Sequence, residues 1–204
     1  MPVMTPTADT QNRILESARE LIHSRSYADV GVAAICEHAG VNKGSFYHFF
    51  PSKRDLTIAV LDTYYLEMKE QLLDRAFSSD IPPLQRLERL AVLIYEFQKE
   101  VADRAGHILG CPFGNLAVEL STQDEPIRRK VAEIFGRLRA GIRRTLEEAV
   151  ETGAVQGIDV EATAEAMLAY FEGVMLMAKT RNDPDVLRQL LPALAQIRIV
   201  HPGD

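Results

Sequence analysis

The sequence predicts an all-α protein, with an N-terminal three-helix helix-turn-helix domain over residues 1–51 and a larger helical domain over residues 52–204. Apolar residues recur every three or four positions along most of the 204-residue chain, which is the period of an α-helix. Strand-like alternation of useful length is missing from the sequence. In addition, the segment Val32–Arg54 contains two short helical patterns joined by a glycine, which is the arrangement of a helix-turn-helix.

The first helix of this pair places Val32, Ile35 and Cys36 on one face and closes at Gly40. A glycine suits the left-handed backbone position after a helix, where a side chain would cost energy. Asn42 then offers a side-chain oxygen that can cap a second helix of about two turns. These features predict a tight turn between the two helices.

The second helix is predicted to lie in the major groove of DNA, as the second helix of such a motif does. Val41, Phe46 and Phe49 are expected to pack inward, and the remaining positions are polar. Those polar residues could also be ordinary solvated surface, although they lie on the outer face of a helix held by two phenylalanines. The predicted DNA-contacting residues of this segment are Asn42, Lys43, Ser45, Tyr47 and His48.

The next helix is predicted to begin at Ser52, and Lys53 brings a cation to a position suited to a DNA phosphate. The net charge of −6 does not oppose this interpretation. Up to Asp55 the chain has six basic and six acidic residues, so the acidic excess lies in the remainder, with 17 basic and 23 acidic residues. Attraction to DNA depends on the local face rather than on the total charge.

The periodicity and the breaks at Pro and Gly place the other helices. We expect the first eight residues to form a flexible terminus, and Pro192 to kink the last helix. Pro83 is well placed to begin the helix that continues from Leu84 to about Arg104, and after a break around Gly106–Gly114 a short helix runs to about Ser121. The remaining predicted helices run from about Thr10 to Arg25, from Ser52 to about Phe77, from Glu125 to about Glu151, from Val160 to about Thr180, and from Pro184 onward.

The segment AGVNKGSFYHFFPSKRDL resembles the signature of the TetR/AcrR family, usually seen as AGVSKGTLYHYFxSKEDL. The match is dense from Ile35 to Leu56 and extends more weakly back to Thr10, so it covers about the first quarter of the chain. Gly31 stands where the family usually has a capping Ser or Thr, which weakens the start of the first helix of the pair. The resemblance implies a DNA-binding regulator in which the matching positions contact DNA.

The resemblance also implies a homodimer, since this family dimerises through a four-helix bundle made from the helices here predicted at Glu125–Glu151 and Val160–Thr180. The sequence agrees, because the predicted helix Val160–Thr180 is apolar over much of its circumference. A helix of this kind is buried on more than one side. The alternative is that both apolar stripes form only the core of one subunit. The stripes comprise Ile127, Val131, Ile134, Leu138, Ile142 and Leu146 on one helix, and Val160, Ala164, Met167, Phe171, Val174 and Met175 on the other.

A sensing site is predicted around Cys111. Pro112 fits the first turn of a helix, which makes Cys111 its N-cap and predicts a lowered thiol pKa. The stretch resembles the GC-x-x-x-x-L-A-x-E pattern of two TetR subgroups, one responding to electrophiles through a cysteine and one releasing DNA on binding flat aromatic drugs. The alternative is a buried thiol that only fills space. The predicted sensor and pocket residues are Cys111, Phe97, Phe113, Leu116, Met167 and Phe171.

These features together predict a repressor that binds a palindromic operator in double-stranded DNA as a dimer and responds to a small-molecule effector of unknown identity. Alternatives are a TetR-like activator, a co-repressor-dependent regulator, an enzyme body fused to a DNA-binding head, or a helix-turn-helix used only for protein contacts. The sequence offers no catalytic constellation, phosphate loop, zinc spacing or cofactor motif. It also lacks a membrane-spanning run and a secretory leader, so we expect a cytoplasmic protein.

Overall fold

A computed structural model of the chain describes residues 6–200, and the side chains from residue 8 onward. Over this range it contains helices and connecting loops, without a strand, which confirms the predicted all-α class. Along the same range, no helix is both long and apolar enough to cross a membrane. The helices are α1 (Pro6–Ser24), α2 (Val32–Ala39), α3 (Lys43–Phe49), α4 (Lys53–Met68), a π-helical segment (Lys69–Leu73), α5 (Asp74–Ala76), α6 (Pro83–Ala105), α7 (Pro112–Leu120), α8 (Glu125–Glu151), α9 (Val160–Arg181), α10 (Asp185–Leu190) and a 3₁₀ segment (Leu191–Gln196).

The helix bounds follow the local signals in the sequence closely. Pro83 begins α6, and α10 gives way to the 3₁₀ segment where Pro192 was expected to kink the chain. The first helix starts at Pro6, earlier than the predicted Thr10, because proline is compatible with the first turn of a helix. The expectation of a flexible terminus therefore fails for residues 6–8, while residues 1–5 and 201–204 lie outside the described part.

The described chain forms two compact units, one of residues 6–65 and 115–131 and the other of residues 66–114 and 132–200. Helices α4, α7 and α8 each contribute residues to both units. This division does not coincide with the predicted segments 1–51 and 52–204, because the start of α4 and the segment 115–131 group with the N-terminal helices.

The first unit is built around the packing of α1, α2 and α3 against one another. The α1 stripe that was predicted from helical spacing is buried, as is the apolar start of α4. This core fixes α3 from its inner side and leaves its outer side at the surface. The most deeply buried residues of the unit include Ile14, Ala18, Val30, Ile35, Phe46, Leu56, Val60 and Leu61.

In the second unit, α10 and the 3₁₀ segment pack against both α6 and α9. Arg86 of α6 is buried and bonded: its Nε donates to the Ile81 carbonyl at 3.0 Å, and its Nη1 lies 2.6 Å from Oε2 of Glu148 on α8. A buried guanidinium requires such partners, since an unpaired charge would be costly. These bonds join α6, α8 and the loop before α6 within the unit.

Candidate nucleic-acid interface and sensing segment

The turn between α2 and α3 has the predicted geometry. Gly40 adopts a left-handed conformation with φ 63° and ψ 39°, and its N–H closes the end of α2. Asn42 caps α3, because its Oδ1 accepts the Ser45 N–H at 2.8 Å. Both predicted roles are confirmed, and the two helices are held in the short arrangement of a helix-turn-helix.

Helix α3 has one buried face and one polar face. Phe46 is fully buried, whereas Lys43 and His48 are exposed and Ser45 is half-buried. The Tyr47 side chain is 53% exposed, and its ring meets the Phe46 ring edge-on at a centroid distance of 5.1 Å. The ring therefore packs while the side chain remains accessible, as expected for a residue that contacts a phosphate.

The inner face of α3 differs from the prediction in one respect. Phe50, rather than Phe49, joins Phe46 in the core. The helix ends at Phe49, and Phe50 takes an extended backbone conformation that turns its side chain inward, 6.2 Å from the Phe46 ring centroid. Phe49 is only half-buried and packs edge-on against His48 at 4.9 Å, and Val41 is half-buried too.

Lys53 has partners inside the protein instead of the free position expected for a phosphate contact. Its Nζ donates to the Tyr27 carbonyl at 2.7 Å and to the Val30 carbonyl at 3.0 Å. The ammonium also lies 3.8 Å from the centre of the Tyr27 ring, which is a cation–π distance. Partial burial lowers the pKa of Lys53. Within the subunit, Lys53 therefore holds the loop before α2.

The start of α7 confirms the predicted cap at Cys111. Pro112 is the first residue of α7, and the Cys111 Sγ accepts the Gly114 N–H at 3.4 Å. Asn182, which ends α9 in a left-handed conformation, accepts the Ile108 N–H at 2.9 Å through its Oδ1. These bonds fix the segment that leads into α7 at both ends.

The prediction of a lowered Cys111 pKa is wrong. The thiol is buried, and burial together with the negative charge of Glu172 raises its pKa well above the ordinary value. The N–H groups of Gly114 and Phe113 act in the lowering direction, but their effect is smaller. Cys36 is buried as well, and burial raises its pKa.

The other predicted pocket residues occupy different environments. Phe113 and Met167 are almost completely buried in the second unit, and Leu116 is buried in the first. Phe171 is half-buried, whereas Phe97 is 37% exposed on α6. Cys111 lies beside Glu172, a residue that was not predicted.

Sequence reasoning missed two carboxylates that the structure places at important positions. Glu172 lies beside Cys111, burial raises the pKa of its side chain, and its Oε1 is buried without a hydrogen-bond partner. The signal was an acidic residue within an otherwise apolar part of α9. Glu119 accepts the N–H groups of Tyr27 and Ala28. It is the final residue of the GC-x-x-x-x-L-A-x-E pattern, so the motif itself pointed to it.

Comparisons with known proteins agree with this geometry. Residues 14–60 match the family model described as bacterial regulatory proteins, tetR family, and residues 83–194 match that of the tetracyclin repressor-like C-terminal domain. The transcriptional regulator AcuR of Cereibacter sphaeroides is 35% identical over 182 residues, covering 85% of this chain and 78% of that protein.

A second relative is the HTH-type transcriptional repressor DhaR of a Mycobacterium species, 26% identical over 182 residues, which cover 89% of this chain and 88% of that protein. Among solved structures, the regulatory protein TetR from Rhodobacter sphaeroides superposes with a TM-score of 0.77. That alignment has 28% sequence identity and covers 92% of this chain and 98% of the other. Sequence and fold therefore point to the same class of protein.

Proposed function

Because this chain belongs to the TetR family of bacterial DNA-binding transcriptional regulators, we propose that it is a repressor that binds a palindromic operator as a homodimer. A small molecule bound by the helical body would release it from DNA. A relative named as a repressor supports repression over the alternative of activation. The relatives are regulators, which favours a body that binds a ligand over one that catalyses a reaction.

The observation that carries the DNA-binding proposal is the two-sided character of α3. Its inner side is anchored by the fully buried Phe46, and its outer side presents Lys43, Tyr47 and His48 to solvent. A helix fixed in this way can enter the major groove with little rearrangement. Asn42 and Ser45 lie at its N-terminal end, where base edges are closest. Lys53 would contribute through the loop that it holds.

Selection of duplexes from a random pool tests this proposal. The unmodified chain should select a palindrome, and Ser45→Ala or His48→Ala should change the base preference at particular positions of each half-site. Lys43→Ala should weaken binding to all duplexes and reduce the salt slope by about one. Arg104→Ala, which removes an exposed cation from α6, is the control for charge. If the chain selects no sequence, or if the Ser45 and His48 variants both select the same sequence as the unmodified chain, α3 is not the reading helix.

The homodimer proposal rests on an apolar strip that one subunit leaves uncovered. Much of the predicted α9 stripe is the core of the subunit itself, since Ala164, Met167, Val174 and Met175 are all buried. The opposite side of α9 presents the exposed residues Ala169, Gly173 and Leu176 at helical spacing, and a Cβ added at Gly173 would meet nothing within 4 Å. Small residues of this kind allow a partner helix to approach closely.

We propose that the effector binds without covalent attachment and that Cys111 lines its site. The raised thiol pKa argues against a thiolate poised to attack an electrophile. A regulator of this family works on chromosomal DNA, so we also assign it to the cytoplasm. A screen of small molecules for release of the selected duplex, repeated with Cys111→Ser, tests whether the effector binds without covalent attachment. Release by an inducer that acts equally on the Ser variant supports non-covalent binding, and release that requires the thiol contradicts it.

A further inference from the structure

The loop of residues 25–31 enters α2 without a side-chain cap. Gly31 is the N-cap residue, and no side-chain hydrogen bond closes this helix end. Its backbone is extended, with φ −83° and ψ 159°, and a Cβ placed there would meet nothing within 4 Å. Any residue could therefore occupy this position without strain. Glycine is a somewhat weaker N-cap than Ser or Thr, and it leaves the first N–H groups of α2 without a side-chain acceptor, so other contacts help to fix where α2 begins.

Glu119 supplies one of these contacts from a distant part of the chain. Its Oε2 accepts the Tyr27 N–H at 3.0 Å, and its Oε1 accepts the Ala28 N–H at 2.7 Å. A carboxylate that accepts two consecutive backbone N–H groups forms charge-assisted bonds and fixes the peptide plane between them. The carboxylate thus acts on the loop much as a capping side chain acts on a helix end.

Lys53 holds the same loop from its carbonyl side. The Tyr27 residue donates its N–H to Glu119 and accepts a bond from Lys53 at its carbonyl oxygen. Lys53 reaches the Val30 carbonyl as well, immediately before Gly31. Close by in the chain, Arg54 Nε donates to Asp124 Oδ2 at 2.6 Å, which joins the start of α4 to the loop after α7. The bonds of Lys53 to the loop and of Arg54 to Asp124 both lie within the first unit.

We propose that Glu119 is a positioning residue for operator binding: together with Lys53 it fixes the loop that sets the start of α2, and α2 in turn sets the placement of α3. The inference rests on the proposed operator binding. Base contacts require side chains to be placed within a fraction of an ångström, whereas non-specific binding depends mainly on the total of phosphate contacts. Loss of the bonds from Glu119 to the loop should therefore reduce specific DNA binding more than non-specific DNA binding.

The test compares Glu119→Ala and Glu119→Gln with the unmodified chain on the palindrome that the unmodified chain selects and on a scrambled duplex of equal length. We expect about tenfold weaker binding of the palindrome by the Ala variant, and a smaller loss for Gln, which keeps one acceptor oxygen. Binding of the scrambled duplex should stay within about twofold. Amide exchange at Tyr27 and Ala28 should be faster in both variants. Glu88→Gln, at an exposed carboxylate of α6, is the control for the change in charge.

Rescue separates positioning from a general loss of stability. Gly31→Ser supplies the missing side-chain cap, so the double variant Gly31→Ser, Glu119→Ala should recover part of the affinity for the palindrome. The inference is overturned if Glu119→Ala binds the palindrome as Glu88→Gln does, or if both duplexes lose affinity equally. Should the Ala variant fail to fold, the same comparisons made with the Gln variant decide. Failure of the unmodified chain to select any palindrome would instead contradict the proposed function.

Discussion

At the scale of single residues, Cys111 shows that burial can outweigh a helix end. The N-terminus of α7 offers the thiol two N–H groups and a partial positive charge, which together favour the thiolate. Removal from water acts against the charged form, and the Glu172 carboxylate adds like-charge repulsion. Since the second pair of effects is larger, the thiol is protonated at neutral pH.

We therefore predict that Cys111 alkylates slowly in the folded protein. In a Cys36→Ala background, the reaction of Cys111 with iodoacetamide near neutral pH should be at least about tenfold slower than that of a free thiol. The reason is that each unit by which the thiol pKa rises lowers the thiolate fraction about tenfold. The rate should continue to rise above pH 9.0, the ordinary thiol value. Adding Glu172→Gln should lower the thiol pKa and speed the reaction. A fast reaction that the Gln change leaves untouched would contradict this account.

Glu172 predicts a pH dependence of stability. Burial raises the pKa of this carboxyl above its ordinary 4.5 in the folded state. Between these two values the folded state binds more protons than the unfolded state, so the contribution of Glu172 to stability falls as the pH rises through that range and is constant above it. Relative to the unmodified chain, Glu172→Gln should therefore gain stability in urea titrations as the pH rises from 4.5 through the raised pKa of Glu172. Glu88→Gln is the exposed control, and a difference that is the same at every pH would refute the role of Glu172.

At the scale of elements, Asn182 couples the end of α9 to the segment before α7. It is the one non-glycine residue with a positive φ, 49°, among the described residues, and its side chain also accepts the Ile108 N–H. Asparagine tolerates the left-handed conformation better than most residues. One residue thus closes a helix with its backbone N–H and fixes a loop with its side chain.

The two functions of Asn182 can be separated by substitution. Asn182→Gly keeps the left-handed backbone but loses the bond to Ile108, which should lower the free energy of unfolding by about 1 kcal/mol. Asn182→Ala loses the bond and also pays the left-handed strain, for a total of about 2 kcal/mol. Urea denaturation measures both values, and equal stabilities of the Gly and Ala variants would show that the backbone conformation carries no cost.

The elements also show which parts of the molecule could be predicted from sequence. The Asn42 cap, the left-handed Gly40, the Cys111 cap and the start of α6 depend on neighbours within one helical turn, and all were predicted correctly. The bonds from Glu119 to Tyr27 and from Lys53 to Tyr27 join residues 92 and 26 positions apart. Periodicity carries no information about such pairs, so Lys53 was assigned to DNA and Glu119 was overlooked.

At the scale of the whole molecule, the apolar residues of α9 serve two different surfaces. One side is buried within the subunit and includes Val174. A charge placed at Val174 would therefore unfold the protein and give no information about assembly. The other side includes Leu176, which is 59% exposed in the single subunit. Sequence alone could not separate the two sides, because both are apolar at helical spacing.

A charge on the exposed side is therefore the test of assembly. Leu176→Glu should convert the proposed dimer to a folded monomer at micromolar concentration, because the new carboxylate would be buried without a partner at the interface. Val92→Glu, on α6, is the matched control, since Val92 is 54% exposed and also apolar. Light scattering measures the mass, circular dichroism checks that the helices remain, and binding of the full palindrome should weaken only for Leu176→Glu. If Leu176→Glu remains a dimer, the interface lies elsewhere on the subunit. If the unmodified chain is a monomer that still binds the palindrome tightly, the homodimer proposal is wrong.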